Sequence, residues 1–91
     1  MGAREQVALN IRRLRVERGL AQEALAVDAG IDRTYVSRLE RNLENPTINV
    51  IERLALALGV EIVELFAPIE PGSEPPKLKS GRKKRQAARP T

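Results

Sequence analysis

Hydrogen-bond donors are concentrated in one short segment, DRTYVSRLERN, which runs from Asp32 to Asn42. With about 100° between successive residues of an α-helix, its donor side chains fall within one arc of about 140°. These donors are Arg33, Thr34, Ser37, Arg38 and Arg41. Tyr35, Val36 and Leu39 fall on the opposite arc. The spacing therefore predicts a helix with an apolar back and a front that can donate many hydrogen bonds.

Catalytic and metal chemistry lack the residues that they need. The sequence has no cysteine and no histidine, which excludes disulfides, thiol chemistry, an imidazole pH switch and zinc sites built from those ligands. Ser37 has no histidine or lysine near it, and no pair of carboxylates is placed in an evident pocket. We predict that the chain is not an enzyme and has no catalytic residue, no cofactor and no metal ligand.

The positive charge of the chain belongs to its C-terminal part. Residues 1–67 contain nine arginines and ten acidic residues, a net charge of −1, whereas residues 68–91 contain seven basic and two acidic residues. The second segment also holds five of the six prolines and all the lysines, so we predict a folded domain over 1–67 and a disordered tail over 68–91. No export signal and no run of about 18 apolar residues occurs, so we expect a cytoplasmic protein with no membrane partner.

Apolar residues recur at helical spacing throughout the predicted domain, and no segment alternates with the period of a strand. Gly19, Gly30 and Gly59 are suited to end helices, and the side chains of Asp32 and Thr47 are suited to cap them. The fold class predicted is all-α. The predicted helices cover residues 4–18, 21–29, 32–41, 47–58 and 60–66.

Residues 22–41, QEALAVDAGIDRTYVSRLER, resemble the twenty-residue motif of the phage-repressor (Cro/cI-type, XRE) helix-turn-helix family. Ala26 lies where that motif needs a small residue, and Gly30 lies in its turn. Val36 and Leu39 occupy the two inward positions of the second, recognition helix, which covers about residues 32–41. Segment 32–42 in particular resembles the controller proteins of restriction–modification systems.

The resemblance extends over residues 7–66 and implies a compact five-helix, repressor-like domain. It also implies a transcriptional regulator of bacterial or phage origin that binds double-stranded DNA as a homodimer and reads an inverted-repeat operator through the major groove. The alternative is an antitoxin-like or other protein-interaction module that uses the same helical domain.

Site residues follow from the same resemblance, position by position. Contacts with DNA bases are implied for Arg33, Thr34, Ser37 and Arg38. Contacts with DNA phosphates are implied for Gln22, Tyr35, Arg41 and Asn42. An ion pair that orients the recognition helix is implied between Arg15 and Glu40. Ala21 departs from the pattern, because relatives carry Ser, Thr or Asn there to cap the first motif helix.

Two further groups of residues are predicted to make contacts outside the motif. The last predicted helix is too apolar to be buried alone, so we expect a dimer interface formed by Val60, Ile62, Val63, Leu65 and Phe66. The tail either adds nonspecific DNA affinity or is a solubilising end. Its candidate DNA-binding residues are Lys77, Lys79, Arg82, Lys83, Lys84 and Arg85.

Overall fold

Four α-helices and a short 3-10 helix form the domain in the computed structural model, which describes residues 1–69. The bounds are Ala3–Glu17 for α1, Gln22–Ala29 for α2, Arg33–Glu40 for α3, Ile48–Leu58 for α4 and Ile62–Phe66 for the 3-10 helix. None of residues 1–69 lies in a strand, so the predicted all-α fold class is confirmed. Over this part of the chain, no helix combines the length and the apolar character that crossing a membrane requires.

Helix ends lie where local chemistry favours them. Asp32 caps α3, because its carboxylate accepts a hydrogen bond of 2.9 Å from the backbone N–H of Thr34. Thr47 caps α4 in the same way, with its hydroxyl accepting from the N–H of Val50 at 3.2 Å. Gly30 follows α2 with φ of 72°, a conformation that is least costly without a Cβ. Gly30 and Asp32 thus fix the turn between the two motif helices α2 and α3, and Thr47 fixes the start of α4.

The core is assembled from one face of each helix. α3 contributes Val36 and Leu39, both fully buried, and this apolar back holds its opposite side at the surface. The other buried members of the core cluster are Val7, Ile11, Leu14, Leu25, Ala26, Ala29, Ile51, Leu54, Ala55, Leu58 and Leu65. The domain therefore presents the front of α3 to solvent, while the apolar back of the helix packs mainly against α2 and α1.

The end of the domain differs from the sequence prediction. A helix was predicted over 60–66, but the structure has a 3-10 helix of five residues that starts at Ile62. Glu61 and Glu64 form a capping box at its start, in which the N–H of Glu61 donates to the Glu64 carboxylate at 3.0 Å. So few residues close a 3-10 turn more readily than an α-helix, which needs a longer run to repay its nucleation cost.

Asn10 joins the first helix to the end of the domain. Its side chain is fully buried, and its Nδ2 donates to the carbonyl oxygens of Leu65 at 3.1 Å and Ala67 at 2.9 Å. Its Oδ1 accepts from the guanidinium of Arg13 at 3.0 Å. A buried amide is tolerated here because both its donor and acceptor atoms have partners. The 3-10 helix is thereby held against α1.

Candidate nucleic-acid interface

The front of α3 carries the residues that the sequence predicted to contact bases. Arg33, Thr34 and Arg38 are exposed and Ser37 is half-buried, on the side of α3 that faces away from the core. Asp32 sets the start of the helix, so that Arg33 and Thr34 form its first turn. The structure thus brings all four predicted base-contact residues to one accessible surface, which can donate hydrogen bonds to a partner rich in acceptors.

Arg38 is engaged by the loop that follows its own helix. Its Nε donates to the carboxylate of Glu44 at 2.7 Å, and its Nη2 donates to the carbonyl oxygen of Leu43 at 3.1 Å. Sequence reasoning did not assign a role to Glu44. The two residues are six apart and the chain turns between them, so helical spacing gave no signal for the pair. The structure therefore adds a carboxylate to the donor-rich surface.

Arg41 and Asn42 lie where α3 ends. Arg41 is exposed, and its Nε lies 3.4 Å from the carbonyl oxygen of Ser37. Asn42 has φ of 61° and is the one residue other than glycine within 1–69 with a positive φ. Asparagine adopts this conformation more readily than other residues with a Cβ. Asn42 thus reverses the chain, and its Oδ1 is buried with no hydrogen-bond partner among the described residues.

Tyr35 is half-buried and packs against the core, as its place on the back of α3 predicted. Burial raises the pKa of its hydroxyl above the ordinary value of 10.0, and the negative charge of Glu44 raises it further. The phenol is therefore neutral at physiological pH and keeps its proton for donation.

A buried ion pair fixes α3 against α1. Arg15 donates to Glu40 through Nε at 2.6 Å and through Nη2 at 3.0 Å, and its Nη1 donates to the carbonyl oxygen of Leu20 at 2.7 Å. The side chains of Arg15 and Glu40 are 8% and 3% exposed. Gln22, the first residue of α2, also donates to Glu40 at 3.0 Å. One carboxylate therefore links α1, α2 and the end of α3.

Comparison with known proteins places this geometry in a family. A family model described as helix-turn-helix, HTH_3, matches residues 11–65, which include α2 and α3. The chain belongs to the helix-turn-helix family. This membership confirms the predicted resemblance. Together with the regulators among the relatives described next, it confirms a transcriptional regulator rather than an enzyme.

Relatives of this helix-turn-helix protein include regulators of restriction–modification systems. An uncharacterised HTH-type transcriptional regulator of Sinorhizobium fredii, y4dJ, is 44% identical over 70 residues, which are 77% of this chain and 91% of the relative. The controller protein C.AhdI of Aeromonas hydrophila is 41% identical with a TM-score of 0.67, covering 69% of this chain and 96% of that chain. The controller protein C.Esp1396I, solved as a tetramer with its natural 35 base-pair operator, is 38% identical with a TM-score of 0.67, covering 72% of this chain and 87% of that chain.

The predicted dimer interface of this helix-turn-helix protein needs correction at Leu65. Its side chain is fully buried within the core of its own chain, so it is not available to a second copy. Val60 and Phe66 also pack partly against that core. Ile62 and Val63 are exposed, by 36% and 67% of their surface.

Sequence reasoning missed two exposed apolar residues on α4. Leu56 is 75% exposed and Ile48 is 65% exposed, although Ile48 continues the apolar stripe of the helix. Ile48 is the first residue of α4, where the helix extends beyond the core. A signal for Leu56 was present, because it lies off the stripe formed by Ile51, Leu54, Ala55 and Leu58. The predicted DNA-binding residues of the tail, 77–85, lie outside the described residues.

Proposed function

We propose that this helix-turn-helix regulator binds double-stranded DNA as a homodimer and reads an inverted repeat by placing α3 in the major groove. The observation that carries the proposal is the front of α3, where Arg33, Thr34, Ser37 and Arg38 share one side of a helix whose back is buried. An arginine fork can donate two hydrogen bonds to O6 and N7 of guanine, and a threonine can contact a thymine methyl group. C.Esp1396I, a relative of similar fold, was solved with its operator DNA, which supports the same partner for this chain.

Residues beside the front supply orientation and contacts with phosphates in this proposal. Arg41 and Asn42 follow α3, and Gln22 begins α2, where free backbone amides and the helix dipole favour an anion. Tyr35 keeps its phenolic proton and can donate to a phosphate. The ion pair between Arg15 and Glu40 holds α3 at a fixed angle, so that its base contacts form together.

Exposed apolar surface near the end of the domain supports dimerisation in this proposal. Leu56, Ile62 and Val63 are exposed, and a domain of this size gains stability from covering such residues. A two-fold dimer would place its recognition helices in successive major grooves, about 34 Å apart. The regulator would then act on DNA in the cytoplasm, with residues 1–67 reading sequence and the basic tail of 68–91 adding affinity that is insensitive to sequence.

Selection from a random duplex library at about 150 mM salt tests the proposal. The full chain should enrich an inverted repeat, and Arg38→Ala should relax the preference at one symmetric base pair, where the contact is worth about 1–3 kcal/mol. Val63→Arg should weaken dimerisation, measured by sedimentation, and operator binding together. Binding with no enriched sequence would refute base reading by α3, and capture of one stoichiometric protein partner would then favour the protein-interaction alternative.

A further inference from the structure

The guanidinium of Arg38 is held along one edge and open along another. Its Nε donates to Glu44 at 2.7 Å and its Nη2 donates to the Leu43 carbonyl at 3.1 Å, and these two nitrogens share an edge of the planar group. Of its five N–H donors, the two on Nη1 and one on Nη2 have no hydrogen-bond partner within residues 1–69. A parallel pair drawn from Nη1 and Nη2 is the pattern that matches O6 and N7 of guanine.

We propose that Glu44 is a positioning residue, which orients Arg38 so that its free terminal edge discriminates guanine from other bases. The proposal rests on the proposed function, since it requires that Arg38 contacts a base. It assigns a specificity role to a residue that makes no base contact of its own.

The loop that carries Glu44 is itself tied to α3. The N–H of Leu43 donates to the main-chain carbonyl of Arg38 at 2.9 Å, and the N–H of Asn42 donates to the carbonyl of Leu39 at 3.0 Å. Together with the positive φ of Asn42, these bonds form a Schellman motif, which closes the chain onto the helix end. Arg38 is thus bonded to Leu43 through both its main chain and its side chain. The carbonyl of Leu43 and the backbone that leads to Glu44 are therefore fixed relative to α3.

The negative charge of Glu44 indicates that its role is to orient Arg38, and not to stabilise the fold or to raise affinity for DNA. A carboxylate beside the DNA-facing side of α3 repels phosphates, so it lowers affinity for any duplex. Its ion pair with Arg38 is partly exposed, with 45% of the arginine and 26% of the glutamate side chain accessible, so solvent screening leaves it little effect on folding. The ion pair instead keeps the long side chain of Arg38 ordered before DNA binds. An arginine that is already oriented loses less rotamer entropy on binding.

The test measures discrimination by the full chain. The base pair read by Arg38 is first identified with Arg38→Ala, and dissociation constants are then compared for the operator and for the operator changed at that base pair in one half-site. The discrimination ratio is the dissociation constant for the changed operator divided by that for the unchanged operator. Glu44→Ala should lower this ratio by about 3- to 10-fold, the loss expected from one side chain that is no longer held in place. Glu44→Gln should keep the ratio within about twofold, because its amide oxygen accepts the same bond from Nε.

A double variant and a charge-matched control separate orientation from other effects. If Glu44 acts through Arg38, adding Glu44→Ala to Arg38→Ala should leave the already reduced ratio within about twofold of the single variant. Glu5→Ala removes the same charge from an exposed position in the first turn of α1 and should leave the ratio unchanged. Melting curves should be similar for all variants, since each change is at a partly exposed side chain.

Two results would overturn the inference while leaving the proposed function intact. One is a ratio that collapses in Arg38→Ala but is unchanged in Glu44→Ala. The other is tighter operator binding by Glu44→Ala with the ratio kept or raised, which would make Glu44 a competitor of DNA for Arg38. A ratio unaffected by Arg38→Ala at every base pair would instead refute the base contact itself, and the positioning role with it.

Discussion

Removing the carboxylate of Glu40 should destabilise the domain severely. Glu40 accepts two hydrogen bonds from Arg15 and one from Gln22, and its side chain is only 3% exposed. In Glu40→Ala the guanidinium of Arg15 stays buried and keeps one protein acceptor, the carbonyl of Leu20. Breaking one partner of a buried pair costs about 3–5 kcal/mol, because the other charge is left without compensation.

The size of the domain makes this loss decisive. At roughly 0.05–0.15 kcal/mol per residue, a domain of about 67 residues has an unfolding free energy of about 3–10 kcal/mol. The predicted loss therefore removes a third or more of that stability, and it lowers the melting temperature by more than about 12 °C. Urea denaturation followed by far-ultraviolet circular dichroism gives the free energy directly.

Two control variants test whether the loss of stability in Glu40→Ala comes from the burial of its ion pair. Glu17 pairs with Arg13 at 3.2 Å, but the glutamate side chain is 50% exposed, so Glu17→Ala should change the unfolding free energy by less than about 0.5 kcal/mol. Replacing both buried partners, in Arg15→Met with Glu40→Leu, should recover much of the stability because no buried charge is left unpaired. A denaturation midpoint for Glu40→Ala that matches Glu17→Ala would refute the reasoning.

Three further predictions concern a cap, a buried amide and a titrating group. Ala21 precedes α2 in an extended conformation without a side-chain cap, so Ala21→Ser should raise the unfolding free energy by about 1 kcal/mol in urea denaturation; an unchanged midpoint would contradict this. Asn10→Ala leaves two carbonyls without their donor and should cost about 1–3 kcal/mol in the same assay, with exposed Asn49→Ala as an unaffected control. Tyr35 is the single tyrosine, and its near-ultraviolet titration midpoint should lie above 10.0 in the folded chain and move lower in Glu44→Gln. Because folding raises this pKa, the contribution of Tyr35 to the unfolding free energy should be constant below about pH 10 and fall as pH rises through the folded value; a folded midpoint at or below 10.0 would contradict the assignment.

Sequence reasoning succeeded where local chemistry decides the structure. Asp32 and Thr47 cap their helices, and Gly30 and Gly59 end the preceding helices with positive φ, as their residue types predicted. Val36 is buried because helical spacing alone determines which side of α3 is apolar. These features depend on a few neighbouring residues, so one sequence is enough to predict them.

Sequence reasoning failed where contacts between distant residues or an irregular backbone determine the structure. Leu65 was predicted at a dimer interface, but a segment as apolar as 60–66 has no period that tells its inner side from its outer side. Glu44 contacts Arg38 across a turn in which Asn42 adopts a positive φ, a conformation that its residue type permits but does not require. The positions of Leu65 and Glu44 can be assigned only when the three-dimensional path of the chain is known.

Asn10 and its partners have a consequence for the timing of folding during synthesis. The carbonyls that it binds lie 55 and 57 residues further along the chain, and Leu65 completes the core beside them. When only α1 to α4 have emerged from the ribosome, the two carbonyls that accept from Asn10 and the core side chain of Leu65 are still missing. We therefore expect the domain to fold cooperatively only after Ala67 has emerged. Emergence of the 3-10 helix, the last five residues of helical structure, is then the step that commits the regulator to its native state.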